Sequence, residues 1–313
     1  MFLNVSIVLH NLLYYKDGIQ IMKYKKAIFH AILAASLYAI NAPVSKLLLA
    51  EIPSTMMAGL LYLGAGIGMY LLNKRNKHTE EAPLSRKELP YTVAMVVLDI
   101  AAPIFLMIGL TGCSAANASL LNNFEIVATA LIALMVFGER ISGRLWAGIA
   151  FVVASCALLS FEDITSLHFS VGSLFVLLAC VCWGIENNCT RRLSAKDPLE
   201  IVLLKGIFSG LGSVSIGWLL GERITVRWSI PAVLAVGCVA YGLSIFFYVY
   251  AQRLLGAART SAYYAIAPFI GALLSPIIFR EMPRSTFFLA LFLMAVGAWL
   301  CSSDKPIFMS KKR

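Results

Sequence analysis

LLNNFEIVATALIALMVF, residues 120–137, decides the fold. The stretch and its flanks are apolar for long enough to cross a bilayer as one helix, which takes roughly 20 residues. Yet Asn122, Asn123 and Glu125 sit together inside it. A charged side chain at the bilayer centre costs about 2.5–3.5 kcal/mol on insertion scales, so such residues face a bundle interior or a wet cavity rather than lipid. The stretch therefore predicts a membrane helix with one face turned toward polar company.

The same pattern extends along the chain. Of 313 residues, 60% are hydrophobic and 13% charged, against about 25% charged in an ordinary soluble domain. Ten apolar spans are predicted, at 27–49, 54–73, 90–110, 115–137, 144–161, 171–190, 199–220, 230–252, 258–279 and 284–302, numbered 1 to 10. The fold class is thus an all-α polytopic membrane protein of ten transmembrane helices. Its parts are an N-terminal cytoplasmic arm (1–26), a first five-helix repeat (27–161), a second (171–303) and a basic cytoplasmic tail (304–313). No soluble domain fits in the remainder. Residues 1–22 lack the basic start and small-residue exit of a signal peptide. Met22 followed by KYKK resembles a translation start, so the preceding segment reads either as an interfacial helix or as lying ahead of the native start.

The net charge of +10 does not point to nucleic acid. With the N-terminus cytoplasmic, Lys and Arg gather on one side: Lys23, Lys25 and Lys26 in the arm, Lys74, Arg75 and Lys77 in the second loop, Arg140, Arg192 and Arg259 in later loops, and Lys311, Lys312 and Arg313 in the tail. Arg223, Arg227, Arg280 and Arg284 fall on the other side. This bias is the positive-inside rule, and it predicts an integral plasma (inner) membrane protein with both termini cytoplasmic. The seven cysteines lie in or beside apolar spans, as packing thiols do. No metal site is read from them, and no P-loop for ATP is present. No cofactor is expected. The expected partners are a small-molecule substrate and membrane lipid, with monomer and homodimer left open.

The chain repeats itself. At an offset of 145, Leu33, Ala34, Ile40, Leu48 and Pro53 meet Leu178, Ala179, Ile185, Leu193 and Pro198; at 142, Ala115, Ala116, Ser119, Phe137 and Glu139 meet Ala257, Ala258, Ser261, Phe279 and Glu281. Each half holds five spans. An odd number inserts the second half upside down, and inverted repeats serve alternating access around a midplane site.

SAANASLLNNFEIVATALIALMVFGERIS (114–142) and its echo GAARTSAYYAIAPFIGALLSPIIFREMP (256–283) resemble the EamA-like family of the drug/metabolite transporter superfamily, over about residues 27–303. The resemblance implies a helical transporter with a central cavity lined mainly by spans 1, 3, 4, 6, 8 and 9. It also implies export of amino acids or other metabolites, with nucleotide sugars or organic cations carried by relatives. Small multidrug relatives use a Glu in their first span. Here that region offers Asn41, and the second-half counterpart of Asn41 is Glu186.

Helical spacing sorts the buried polar groups into stripes. Span 4 carries Ser119, Asn122, Glu125 and Thr129; span 1 carries Tyr38, Asn41 and Ser45; span 6 carries Trp183, Glu186 and Thr190, with Asn187 beside them. Span 8 carries Tyr241, Ser244, Tyr248 and Gln252, and span 9 carries Tyr264, Pro268, Gly271 and Ser275. The candidate substrate residues are Tyr38, Asn41, Asn122, Glu125, Trp183, Glu186, Asn187, Tyr241, Tyr248 and Tyr264. Hydroxyls and amides also join helices in closed bundles. The carboxylates are the sharper signal. Asp99, Glu125 and Glu186 are candidates for proton or ion coupling, since low dielectric disfavours the charged carboxyl. Ion pairing with Lys46, Lys205 or Arg259 is the structural alternative.

The expected function is a secondary-active transporter, an exporter of amino acids or similar small metabolites by alternating access. The alternatives are transport of nucleotide sugars, sugar phosphates or organic cations, and a membrane-embedded enzyme or lipid-handling protein. An enzyme would need a convergent nucleophile and base, which the spans do not offer, so the chain is not read as one.

Overall fold

The computed structural model describes residues 24–75, 86–137, 142–163, 168–193, 196–226, 228–255, 260 and 263–302. Most of the N-terminal arm, the basic tail, and Glu139, Arg140, Arg227 and Arg259 lie outside the described residues. Among the described residues, eight helices are long and apolar enough to cross a membrane: α1 Tyr24–Leu48, α2 Ser54–Leu72, α3 Arg86–Gly112, α4 Ala115–Val136, α5 Gly143–Ser160, α6 Val171–Thr190, α7 Pro198–Leu219 and α8 Ser229–Ala251. Two shorter apolar helices follow, α9 Ala267–Phe279 and α10 Ser285–Cys301. The sequence predicts full spans at these last two. Part of the stretch ahead of α9 falls outside the described residues, which leaves a 13-residue helix. A short antiparallel ladder, β1 Phe161–Asp163 with β2 His168–Phe169, joins α5 to α6. The protein is therefore a helical polytopic membrane protein.

Local chemistry starts the helices. Asp197 caps α7, its carboxylate accepting from Leu199 N at 2.9 Å, and Pro198 follows at the first turn. Ser114 caps α4 by accepting from Asn117 N at 3.1 Å. Two turns on one membrane face bind each other's helices. The Glu222 carboxylate, just after α7, accepts from Thr55 N at 3.3 Å and Met56 N at 2.9 Å at the start of α2. Ser229 at the start of α8 donates to Glu51 Oε2, just after α1.

In lipid, helices associate by close packing rather than by the hydrophobic effect, so small residues mark the contacts. A methyl at Gly66 would lie 2.8 Å from Ile207 N, and one at Gly210 would lie 2.7 Å from Leu63 N, which locks α2 against α7. Gly64 and Gly237 make the same backbone approach between α2 and α8. Gly109 and Gly172 join α3 to α6, and Gly148 and Gly297 join α5 to α10. Gly66→Val should therefore separate α2 from α7. Overpacking of this kind costs about 1–3 kcal/mol, to be read as a lower melting temperature of the purified protein in detergent.

Several helices are interrupted. α1 breaks at Ile40, where Pro43 has no N–H for the Ala39 carbonyl. α4 breaks at Asn122–Asn123 into Ala115–Leu121 and Phe124–Phe137. There the Asn123 amide competes for the backbone, donating to Leu120 O at 3.3 Å. α9 begins after a turn at Ala265–Ile266, with Pro268 at its second position. Asn123 and Ala265 correspond at the 142-residue offset, so the interruptions in α4 and α9 fall at equivalent places. α7 and α8 carry π-helical segments at Lys205–Ser209 and Gly237–Leu243.

Candidate functional site

The centre of the bundle is held by charge. α3 and α6 pack side by side through their glycines and bring Asp99 and Glu186 toward one another. Lys205 enters from the π-turn of α7, where the extra residue per turn redirects a side chain. Its Nζ lies 2.6 Å from Glu186 Oε1 and 3.2 Å from Asp99 Oδ2. Asp99 Oδ2 faces the ammonium without hydrogen-bond alignment. Asp99 Oδ1 accepts from Tyr62 Oη at 2.9 Å, and Thr190 Oγ1 donates to Glu186 Oε1. All three charged residues are at least 95% buried.

Glu125 has a different environment. It is half-buried at the first turn after the α4 break, and Asn187 Nδ2 donates to its Oε1 at 2.6 Å. Among the described residues no ion pair is found on it. Asn187 also reaches Thr129 Oγ1 at 3.4 Å, and Asn188 binds Thr129 O at 3.3 Å, which ties α6 to α4 along the polar stripe. Tyr38, Tyr264, Glu186 and Lys205 are within electrostatic reach of Glu125. Among the described residues, three central carboxylates (Asp99, Glu125 and Glu186) face one ammonium, that of Lys205.

A row of tyrosines starts at the charged cluster, where Tyr62 binds Asp99. Tyr62, Tyr241, Tyr38, Tyr264 and Tyr248 follow one another with ring centroids 5.1, 5.8, 5.8 and 4.9 Å apart. Polar contacts fix this row: Asn41 Nδ2 donates to Tyr241 Oη at 3.0 Å, Ser45 Oγ to Asn41 Oδ1 at 3.0 Å, and Ser244 Oγ lies 3.2 Å from Tyr264 Oη. Tyr241→Phe would leave the buried Asn41 amide unpaired, at about 1–3 kcal/mol; the loss should appear as a lower melting temperature.

A cavity of about 10 Å³ sits where the α1, α4 and α9 interruptions meet, lined by Tyr38, Asn41, Ser119, Asn122 and Pro268. That is room for about one water.

The structure gathers most of the sequence-derived candidates. Tyr38, Tyr241, Tyr248 and Tyr264, with Asn41, belong to the tyrosine row; Glu125 and Asn187 form a pair. Asn122 lines the small cavity and accepts weakly from the Cys180 thiol at 3.8 Å through its carbonyl. Asp99 and Glu186 take the ion-paired alternative through Lys205. Trp183, 7% exposed, packs in the main apolar core. Lys46 donates to the Leu110 and Cys113 carbonyls and so closes the end of α3. Sequence reasoning passed over Tyr62. It shares a face of α2 with Gly59 and Gly66, the face that meets other helices, and that spacing was the available signal.

Comparison with known proteins follows the same division of the chain. A family model described as the EamA-like transporter family matches twice, over residues 25–161 and 170–303. An uncharacterized transporter of Methanothermobacter thermautotrophicus is 25% identical over 270 residues, 80% of this chain and 78% of the relative. The uncharacterized inner membrane transporter YedA of Escherichia coli K12 is 23% identical, covering 83% and 85%. A probable amino-acid metabolite efflux pump of the same strain is 25% identical over 183 residues, 58% of each chain. A solved crystal structure superposes with a TM-score of 0.63 at 17% identity, covering 92% of this chain and 99% of the other.

Proposed function

Because the chain belongs to the EamA-like transporter family, we propose that it is a secondary-active exporter of small ammonium-bearing metabolites, amino acids first among them. All ten apolar helices cross the inner membrane as two inverted five-helix halves, with both termini cytoplasmic. The doubled family match and the paired interruptions in α4 and α9 support this arrangement. Those interruptions let the halves rock about a midplane site.

The observation that carries the substrate class is Glu125. Asp99 and Glu186 already share the Lys205 ammonium, whereas Glu125 has an amide partner and an aromatic neighbourhood. A carboxylate within electrostatic reach of tyrosines suits an ammonium, which gains an ion pair and has aromatic rings nearby for a cation–π contact. The same excess of negative charge repels a phosphate, which disfavours sugar phosphates and nucleotide sugars. The relative named as an amino-acid metabolite efflux pump supports the amino-acid assignment. Between solute loads, Glu125 takes a proton in place of the ammonium, which couples export to proton entry; Asp99 and Glu186 keep Lys205.

The test is counterflow in proteoliposomes loaded with a mixed amino-acid pool, with recovered solute checked for chemical change. The expected result is accumulation of labelled amino acid, unaltered. Accumulation of sugar phosphate alone would refute the substrate class, and altered solute would favour an enzyme.

A further inference from the structure

A second, larger cleft of about 370 Å³ opens between the ends of α3, α5 and α9 and the starts of α4, α6 and α10. Its floor is made by Ala116 of α4 and Ser275 of α9, and its rim by Asn117, Glu281 and Arg284. With the termini cytoplasmic, this is the outer face. The small central cavity lies directly below, on the same two helix faces. Ala116, Ser119 and Asn122 are spaced by three along α4; Pro268, Gly271 and Ser275 by three and four along α9. The first and last of these stripes touch the two cavities, and one layer separates them.

That layer is Ala39, Ser119 and Gly271. A methyl at Gly271 would sit 2.8 Å from Ala39 O and 2.8 Å from Ser119 Oγ, so the backbone of α9 rests directly on α1 and α4. Ser119 Oγ is buried, lines the central cavity and has no hydrogen-bond partner among the described residues. A buried hydroxyl without a partner is costly in a closed bundle, and it is served when water or solute passes it. Neither proline of α9 holds this contact: Pro268 lies a turn below and Pro276 a turn above.

We propose that the outer cleft is the exit mouth of the solute route, and that the Ala39–Ser119–Gly271 layer is its closed gate, opened when α9 moves away from α1 and α4. This rests on the transport reading, but its test does not need flux. In a background with all seven native cysteines replaced by Ser or Ala, single cysteines at Ser275 and Ser119 are treated in intact cells with a membrane-impermeant cationic methanethiosulfonate reagent. Ser275→Cys should react quickly. Ser119→Cys should react at least about 100-fold more slowly, and adding Gly271→Ala, which cannot close the layer, should speed it about 10-fold or more. Equal rates at both positions, or labelling of Ser275→Cys only from the cytoplasmic side in inverted vesicles, would overturn the proposal. Should Gly271→Ala fail to fold, the ratio of the two single-cysteine rates still decides it. If the rate pattern holds while no solute moves in counterflow, the transport reading fails and the gated cleft stands.

Discussion

Lys205→Met should destabilise the protein by about 3–5 kcal/mol, the usual result of removing one partner from a buried ion pair. The methionine fits the space but leaves Asp99 and Glu186 facing each other, both nearly fully buried, with one hydroxyl donor each from Tyr62 and Thr190. The expected readout is a large drop in melting temperature and in folded yield from membranes. Adding Asp99→Asn and Glu186→Gln to the same chain should restore most of the loss, because uncharged amides no longer need the ammonium. A Lys205→Met protein that melts with the wild type would show that the triad does not hold α3, α6 and α7 together.

Glu125→Gln should do the opposite: keep the fold and lose transport. Its half-buried position and its amide partner Asn187 make the swap mild, because a Gln carbonyl still accepts from Asn187 Nδ2. A change in stability under about 1 kcal/mol is expected. A hydrogen bond to a charged group is worth about 1.5–3 kcal/mol, so amine affinity should fall about 10- to 100-fold. The pH response has a definite sign. A protonated Glu125 cannot pair with an ammonium, so acidification on the loading side should weaken uptake by the wild type and leave the residual uptake of Glu125→Gln flat. Counterflow at two pH values measures both effects.

Much of this was legible in the sequence, for reasons particular residues make clear. Lipid forces the backbone to satisfy itself, so apolar length located the eight long helices, and DPLE at 197–200 marks the start of α7 because capping is local chemistry. The pairs Gly64/Gly68 and Gly206/Gly210, each four residues apart, mark faces where α2 and α7 meet other helices, because close helix packing in membranes needs small residues. Periodicity also gathered Tyr38, Asn41 and Tyr241 onto a shared interior. It left two choices open. Lys205 stood two turns inside α7 with equal access to the membrane surface and to a carboxylate; only the π-turn directs it to Asp99 and Glu186, and a one-residue change of helical winding has no regular sequence period. Tyr62 was passed over because a single tyrosine on an apolar helix carries no charge to flag it, although its partner Asp99 does. The break at Asn122–Asn123 lacks a proline, so it too had no strong sequence mark.

The central claim is that an ammonium is recognised at Glu125. The most direct measurement is competition in proteoliposome counterflow between a labelled amino acid and two derivatives: its methyl ester, which keeps the ammonium, and its N-acetyl form, which loses it. The account predicts that the ester competes and that the N-acetyl form does not, by about 10-fold or more in the concentration needed. Equal competition by the N-acetyl form, or competition by it alone, would contradict recognition of the ammonium and remove Glu125 from the substrate site.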